Sequence, residues 1–383
     1  MTKIAVKGYF NHNLGDDLLL KALIEFFPDT QFYILVDKKY VSYYQKLGEN
    51  LCVVSKSFVS RCILRGLNVV QLPRLTKSLL QPFEAFVELG GSIFQQRSTQ
   101  ETVSRLRSGV QLSQKPYFII GSNFGPVRTD RYVNDHETFF SKVDSVVFRD
   151  TSSYHLFSNL RRVNFASDAV LSLSVNQSML KDCEKSYVVM TPINLRFAGR
   201  ILSESYSVTS DFYEGQMKRL AEALINCGYE IKIVAFSEAE GDVQAAKRIE
   251  RLIAPKFKNR VEVYTNQDIS QIVEMMAGAE RLISGRFHAM ILGWLFQKPQ
   301  LVVMYSDKTK NVIDDCYPEQ FAVPTQRLTQ ISVTDLKVSM NTVATASLAA
   351  LQLDATKHFE PLHDFLQKKA SRPVIEKERD VKE

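Results

Sequence analysis

Apolar strand-like segments alternate with amphipathic helix-like segments along most of the sequence, and the series occurs twice. The first series begins at Ile4–Phe10, and the second restarts at Tyr187–Ile193 after a polar stretch. A helix between consecutive strands gives parallel strands whose sheet is covered by helices. A length of 383 residues also exceeds what one hydrophobic core usually serves. The sequence therefore predicts an α/β fold of two Rossmann-like parallel-sheet domains facing a cleft.

The predicted domain boundaries follow the polar stretches between these series. Residues 1–180 form the first Rossmann-like domain, and residues 185–340 form the second. Residues 341–383 are predicted to form one or two helices followed by a charged, disordered tail that starts at Lys368.

Composition excludes several classes of protein. Hydrophobic residues make up 45% and charged residues 23%, as in ordinary globular proteins. No apolar run approaches the roughly 20 residues of a membrane span, and the N-terminus lacks the form of a signal peptide. The five cysteines are scattered without CxxC spacing, which favours reduced thiols in the cytoplasm over disulfides or structural zinc. The net charge of +6 suits anionic substrates, and no nucleic-acid-binding module is recognisable.

The most informative segment runs from Leu282 to Gly293. An apolar strand leads through a small-residue turn at Ser284 into Arg286, His288 and an apolar helix. Backbone N–H groups at the start of such a helix form a natural anion site, and an arginine adds a fork of donors for carboxylate or phosphate. A histidine exchanges a proton near neutral pH. The alternative interpretation is an ordinary helix start with a surface arginine and a packed histidine.

Other strand ends carry small and polar residues, where backbone can approach a ligand closely. None has GxGxxG spacing, so a dinucleotide fingerprint is absent. Asp16 and Asp17 suit the first turn of a helix that we predict at Leu18–Phe27, so no metal site is predicted. The residues expected to form the walls of a cleft are Asn13, Gly15, Asp16, Gly90, Gly91, Ser92, Gly121, Gly125, Ser284 and Tyr305.

Taken together and in this order, the motifs resemble the polysaccharide pyruvyltransferase family, whose fold is similar to the two-domain GT-B architecture. The matching motifs are Gly8 with Asn13–Asp16, Gly90–Ser92, Gly121–Pro126, Arg149-Asp150 with Ser153, Asp168-Ala169, Ser284–His288, and Tyr305 with Lys308. Two positions depart from the family pattern. Asp17 stands where glutamate is frequent, and Ser122-Asn123-Phe124 fills a turn that usually has a third glycine.

The resemblance implies transfer of pyruvate from phosphoenolpyruvate to two hydroxyls of a sugar, giving a cyclic ketal and phosphate in surface polysaccharide or glycan biosynthesis. It implies no cofactor beyond phosphoenolpyruvate as co-substrate, and it places Arg286, Phe287 and His288 at the donor. We expect Arg149 as the second donor-binding cation, although Asp150 could instead pair with it structurally. His288 is the candidate acid/base, and Lys308 is the candidate for assisting the leaving phosphate. The alternative for Lys308 is an ordinary solvated lysine at a helix start. The first domain is expected on the acceptor side of the cleft.

A basic, apolar segment at residues 51–83 contains no acidic residue up to Phe83, and this composition suits an anionic membrane face. The hypothesis is peripheral membrane contact where a lipid-linked oligosaccharide acceptor is displayed; the alternative is a packed helix with a solvated basic edge.

Two other functions of the whole chain stay open. One is a GT-B glycosyltransferase that uses a nucleotide sugar, and the other is a non-catalytic scaffold of a polysaccharide assembly complex.

Overall fold

The computed structural model describes residues 1–57, 73–174, 186–197, 206–265 and 268–371. Residues 58–72 of the basic segment proposed to contact a membrane therefore lie outside the described residues. Within the described residues, no helix combines the length and apolar character needed to cross a bilayer.

The first domain contains a seven-stranded parallel sheet in the order β3-β2-β1-β4-β5-β6-β7. Its strands are β1 Thr2–Lys7, β2 Thr30–Val36, β3 Leu51–Ser55, β4 Ala85–Leu89, β5 Tyr117–Ser122, β6 Ser145–Phe148 and β7 Val163–Phe165. The residues of β4, β5 and β6 are buried throughout, as expected for central strands covered on both faces.

The second domain contains a six-stranded parallel sheet in the order β10-β9-β8-β11-β12-β13. Its strands are β8 Tyr187–Thr191, β9 Glu230–Val234, β10 Val261–Tyr264, β11 Arg281–Ser284, β12 Gln300–Met304 and β13 Ala322–Pro324. The prediction of two parallel-sheet α/β domains is confirmed.

Helices connect the strands and close the chain. Those of the first domain are α1 Leu14–Phe26, α2 Val41–Tyr44, α3 Pro73–Leu80, α4 Arg105–Leu112, α5 Asp130–Phe140 and α6 Thr151–His155. Those that follow are α7 Ser210–Asn226, α8 Asp242–Leu252, α9 Ile269–Gly278, α10 Phe287–Leu295, α11 Asp307–Cys316, α12 Thr345–Ala355 and α13 Glu360–Ala370.

Two predicted boundaries are wrong, for local reasons. Helix α1 begins at Leu14 because the Asn13 side chain accepts a hydrogen bond from the Gly15 N–H and caps it, so Asp16 lies inside the first turn. The predicted tail began at Lys368, but α13 continues to Ala370. The sequences of α4 and α5 are largely polar, and their apolar residues do not recur at a clear helical spacing. Neither helix was therefore predicted.

The two domains share part of their hydrophobic core. One apolar cluster contains Leu18 and Leu23 of α1 together with Met290 and Leu292 of α10. The C-terminal helices belong to the same cluster, and Phe359 stacks on Phe26 of α1 with ring centroids 4.7 Å apart. Packing across the domains holds the facing strand ends at a fixed separation.

Candidate functional site

A cavity of about 790 Å³ lies between the domains, at the carboxyl ends of their strands. The turns after β1, β4, β5 and β6 line it from the first domain, and those after β11 and β12 line it from the second. This is where parallel α/β sheets bind ligands. The predicted donor residues Arg149, Arg286, Phe287, His288 and Lys308 all line this cavity.

Arg149 follows β6 directly and is buried in the cavity wall. Its Nη1 donates to Asp168 Oδ2 at 3.1 Å, and its Nη2 donates to Asn123 Oδ1 at 2.9 Å. The guanidinium lies 4.0 Å from the ring centroid of Phe287, a favourable cation–π contact. Three different elements therefore orient this arginine.

Asp150 does not form the ion pair with Arg149 that was the alternative interpretation of the sequence. Asp150 instead caps α6, accepting hydrogen bonds from the Ser153 N–H at 2.8 Å and the Ser153 hydroxyl at 2.9 Å. The ionic partner is Asp168, which the sequence motif contained without indicating its role. Asn123, one of the residues that depart from the family pattern, supplies the second contact.

His288 lies in the first turn of α10, across the cavity wall from Arg149. Its Nε2 is 3.4 Å from Arg149 Nη1 and 3.7 Å from Asp168 Oδ2. An arginine N–H can only donate, so the closer contact requires a lone pair on Nε2 and places the imidazole proton on Nδ1. Burial and the neighbouring cations Arg149 and Lys308 lower the pKa of His288 well below its usual value. His288 is therefore a neutral imidazole near neutral pH.

Arg286 precedes α10 as its N-cap residue and faces two carboxylates. Its Nη1 donates to Glu240 Oε2 at 2.8 Å, and its Nη2 lies 2.5 Å from Asp242 Oδ2. Burial disfavours the cation, but Asp242 and Glu240 outweigh it and raise the pKa of Arg286. Its charge is thus balanced within the protein before any ligand arrives. Sequence reasoning missed both carboxylates.

Asp16 lines the cavity from the first turn of α1. Burial and the nearby Glu240 raise the pKa of Asp16 to about 7, against the opposing effects of Arg149, the Gly91 N–H and Lys308. A carboxyl group in this state exchanges its proton at neutral pH.

Lys308, at the start of α11, brings a further cation to the cavity. Its Nζ lies 3.4 Å from Ser92 Oγ and 5.3 Å from the ring centroid of Tyr305. Among the described residues, no carboxylate forms an ion pair with Lys308. It therefore differs from Arg286 in having a charge that is available to a ligand.

The predicted wall residues divide into two groups. Those that line the cavity are Asn13, Gly15, Asp16, Gly91, Ser92, Gly125 and Tyr305. Gly90, Gly121 and Ser284 are not among its described lining residues. Gly90 lies against Ile93, the Gly121 N–H donates to His358 Nδ1 at 3.3 Å, and the Ser284 hydroxyl donates to Gln300 Oε1 at 2.8 Å.

Solved structures with the same architecture confirm the fold. Anabaena Alr3699/HepE in complex with UDP-glucose is 11% identical, covers 97% of this chain and 100% of its own, and superposes with a TM-score of 0.56. The S. aureus MnaA–UDP structure is 11% identical, covers 96% of both chains and has a TM-score of 0.56. These likenesses show the GT-B-like arrangement of two Rossmann-like domains.

Sequence comparisons identify the family. The Amylovoran biosynthesis protein AmsJ of Erwinia amylovora is 22% identical over 275 residues, which cover 66% of this chain and 64% of AmsJ. The match thus spans a little under two thirds of that relative. The family described as Polysaccharide pyruvyl transferase matches residues 13–307, a range that contains the strand ends lining the cavity from Asn13 to Asp307. On this match, the chain belongs to the polysaccharide pyruvyl transferase family.

Proposed function

We propose that the chain transfers pyruvate from phosphoenolpyruvate to two hydroxyls of a sugar, forming a cyclic ketal and releasing phosphate. The observation that carries the proposal is the set of groups facing one cavity: Arg149, Lys308, the neutral imidazole of His288, and Asp16 with its pKa raised to about 7. A donor with a carboxylate and a phosphate needs cations, and its enol double bond needs a proton.

Lys308 and Arg149 bind the two anionic groups of the donor in this scheme. Lys308 has no carboxylate partner among the described residues, so it loses no protein ion pair when a phosphate arrives. Arg149 is already oriented by Asp168, Asn123 and Phe287. Arg286 contributes less charge, because Glu240 and Asp242 neutralise it, and it serves chiefly to hold the turn before α10.

Asp16 gives its proton to the methylene carbon of the donor, which leaves an oxocarbenium centre at the neighbouring carbon. The first sugar hydroxyl attacks that centre and returns a proton to Asp16. The carbon–oxygen bond to phosphate then breaks, the second hydroxyl closes the ring, and its proton leaves with the phosphate. His288, through the contact of its Nε2 with Arg149 Nη1, holds that guanidinium toward the donor. This assignment moves the acid/base role from His288, the residue chosen from sequence, to Asp16.

Thermal stabilisation by ligands tests the donor, because anything that binds the native state raises its melting temperature. Phosphoenolpyruvate should stabilise the wild type, and Lys308→Gln should raise its Kd about tenfold. Lys310→Gln is the matched control, since Lys310 is exposed on the same helix and pairs with Asp314. Stabilisation by UDP and not by phosphoenolpyruvate would favour a nucleotide-sugar enzyme instead.

Phosphate release with a panel of sugar acceptors tests the reaction itself. Release that depends on the acceptor, and that Arg149→Lys and Asp16→Asn both lower at least a hundredfold, would support the scheme. Release that Asp16→Asn leaves unchanged would contradict the role of Asp16.

A further inference from the structure

The cavity extends well beyond the donor residues, into a cluster of charges at the ends of β1 and β4. Lys7 and Glu88 are paired neighbours at these strand ends, and Arg107 of α4 reaches the same carboxylate. All three line the cavity. We refer to Lys7, Glu88 and Arg107 as the Lys7–Arg107 cluster.

The carboxylate of Glu88 accepts hydrogen bonds from three neighbouring side chains. It accepts from Lys7 Nζ at 2.6 Å, from Arg107 Nε and Nη2 at 3.0 Å, and from the Tyr117 hydroxyl. Burial disfavours its charge, but Arg107 and Lys7 outweigh this and lower the pKa of Glu88. Burial lowers the pKa of Lys7, and the neighbouring Glu88 opposes this effect. When Lys7 is protonated, two cations share one anion and the cluster carries a net charge of about +1.

Several N–H donors of the cluster have no acceptor among the residues that the structure describes. An ammonium group has three donors, and among the described residues Lys7 Nζ has one acceptor, Glu88. Arg107 Nη1 has no hydrogen-bond partner among the described residues, yet it is not one of the buried unpartnered atoms and is therefore open to the cavity. Nearby in the same wall, the Glu101 carboxylate accepts a hydrogen bond from the backbone N–H of Arg97.

A partly buried net cation with open donors is best satisfied by an anion. We propose that the Lys7–Arg107 cluster binds a phosphate or carboxylate group carried by the sugar acceptor. The inference rests on the proposed function, which places the donor's anionic groups at Arg149 and Lys308. The acceptor is accordingly an anionic glycan, such as a sugar joined to a phosphate or an acidic sugar.

The backbone limits how far this group lies from the reacting hydroxyls. Gly91 comes three positions after Glu88, and a chain of that length spans at most about 10 Å. A Cβ on Gly91 would lie 2.6 Å from Arg149 Nη2, so Gly91 marks the donor end of the cavity. The anionic group therefore belongs to the acceptor sugar itself or to the unit linked to it.

Lysine footprinting measures, in one experiment, how far a ligand protects Lys7 and Lys308 at the two ends of the cavity from acylation. The folded chain is acylated with and without methyl phosphate, acetate or phosphoenolpyruvate, and the modified lysines are quantified by mass spectrometry. Methyl phosphate should slow labelling of Lys7 while leaving Lys3, an exposed lysine on the same strand, unchanged. Protection by acetate as well would mean that carboxylates are accepted, and protection by methyl phosphate alone would identify a phosphate-linked acceptor.

Titration of methyl phosphate in a Lys308→Gln background supplies the second readout, because that change weakens binding at the donor end. Lys7→Gln should then raise the Kd about tenfold, and Lys3→Gln should leave it unchanged. No protection of Lys7 together with an unchanged Kd in Lys7→Gln would overturn the inference. Failure of phosphoenolpyruvate to protect Lys308 would instead contradict the proposed donor, whatever happens at Lys7.

Discussion

At the scale of single residues, the cations of the cleft differ in how completely the protein neutralises them. Arg286 contacts two carboxylates, Arg149 contacts one, and Lys308 contacts none among the described residues. Binding a phosphate is most favourable where no existing ion pair must be broken, because separating a buried pair leaves an uncompensated charge. A ligand's charge is thus best placed between Lys308 and Arg149, beside His288 and Asp16.

The raised pKa of Asp16 makes stability depend on pH. Its carboxyl takes up a proton with a pKa of about 7 in the folded chain and near the ordinary aspartate value of 3.8 when unfolded. The folded state binds more protons between these values, so the free energy of unfolding falls as pH rises through this window. Asp16→Asn removes the dependence, and we expect it to gain about 2–3 kcal/mol relative to the wild type between pH 5 and pH 8.

Urea unfolding at the two pH values measures this difference. Asp29→Asn is the control, since Asp29 is exposed and its substitution should shift the pH 5 to pH 8 difference by less than about 0.5 kcal/mol. An Asp16→Asn variant whose stability relative to wild type is the same at both pH values would show that Asp16 is ionised throughout.

Some of these residues could be predicted from the sequence and others could not. Arg149, His288 and Lys308 each follow a strand closely, where the carboxyl ends of parallel strands converge, so their approach to one cavity is a consequence of topology. Glu240 and Asp242 flank a glycine before α8, a pattern typical of an ordinary turn and helix start. Their contact with Arg286 depends on how the β9–α8 turn packs beside α10, which local sequence does not encode.

At the scale of secondary structure elements, the start of α1 is fitted closely to the start of α10. The Leu14 N–H donates to Phe236 O of the second domain at 2.9 Å, which ties the helix start across the cleft. A Cβ on Gly15 would lie 2.2 Å from His288 Nδ1. The glycine therefore allows the imidazole to sit against the backbone of α1.

Gly15→Ala should displace the His288 ring and with it the contact to Arg149. We expect a loss of about 1–3 kcal/mol in the free energy of unfolding, as for other overpacked sites, and weaker binding of phosphoenolpyruvate. Thermal unfolding with and without phosphoenolpyruvate measures both the loss of stability and the weaker binding.

Gly215→Ala is the matched control for this substitution. Gly215 lies inside α7, and no atom of the described part of the chain lies within 4 Å of a new Cβ, so alanine should stabilise the chain by about 0.4–1 kcal/mol. A Gly15→Ala variant that is as stable as wild type and binds phosphoenolpyruvate equally well would contradict the close fit of α1 and α10.

At the scale of the whole molecule, the sequence predicted the two sheets but not how the chain joins them. The spacing of apolar residues and the residues typical of turns identify strands and helices, because those signals are local. Contacts such as Thr151 Oγ1 with Asp315 Oδ1 at 2.6 Å, between α6 and α11, join residues 164 positions apart. The return of the C-terminal helices to the first domain is equally non-local, and Asp354 accepts the Ser167 N–H at 2.7 Å next to the Asp168 that orients Arg149.

These connections predict that the two domains unfold together. Phe359 packs on Phe26 and Phe27 in the first domain, whereas Trp294, the single tryptophan, is buried in α10 of the second. Both side chains belong to one apolar cluster. Phe359→Ala should lower the free energy of unfolding by about 3–5 kcal/mol, and Trp294 fluorescence should report that loss although the tryptophan is in the other domain.

Urea unfolding followed by Trp294 fluorescence and by far-ultraviolet circular dichroism checks this prediction. The two midpoints should coincide in the wild type and move together in Phe359→Ala. Leu353→Ala is the control, because Leu353 is 73% exposed on α12 and its loss should change stability by less than about 0.5 kcal/mol. A Trp294 midpoint that stays in place while the circular dichroism midpoint falls would mean that the domains unfold separately.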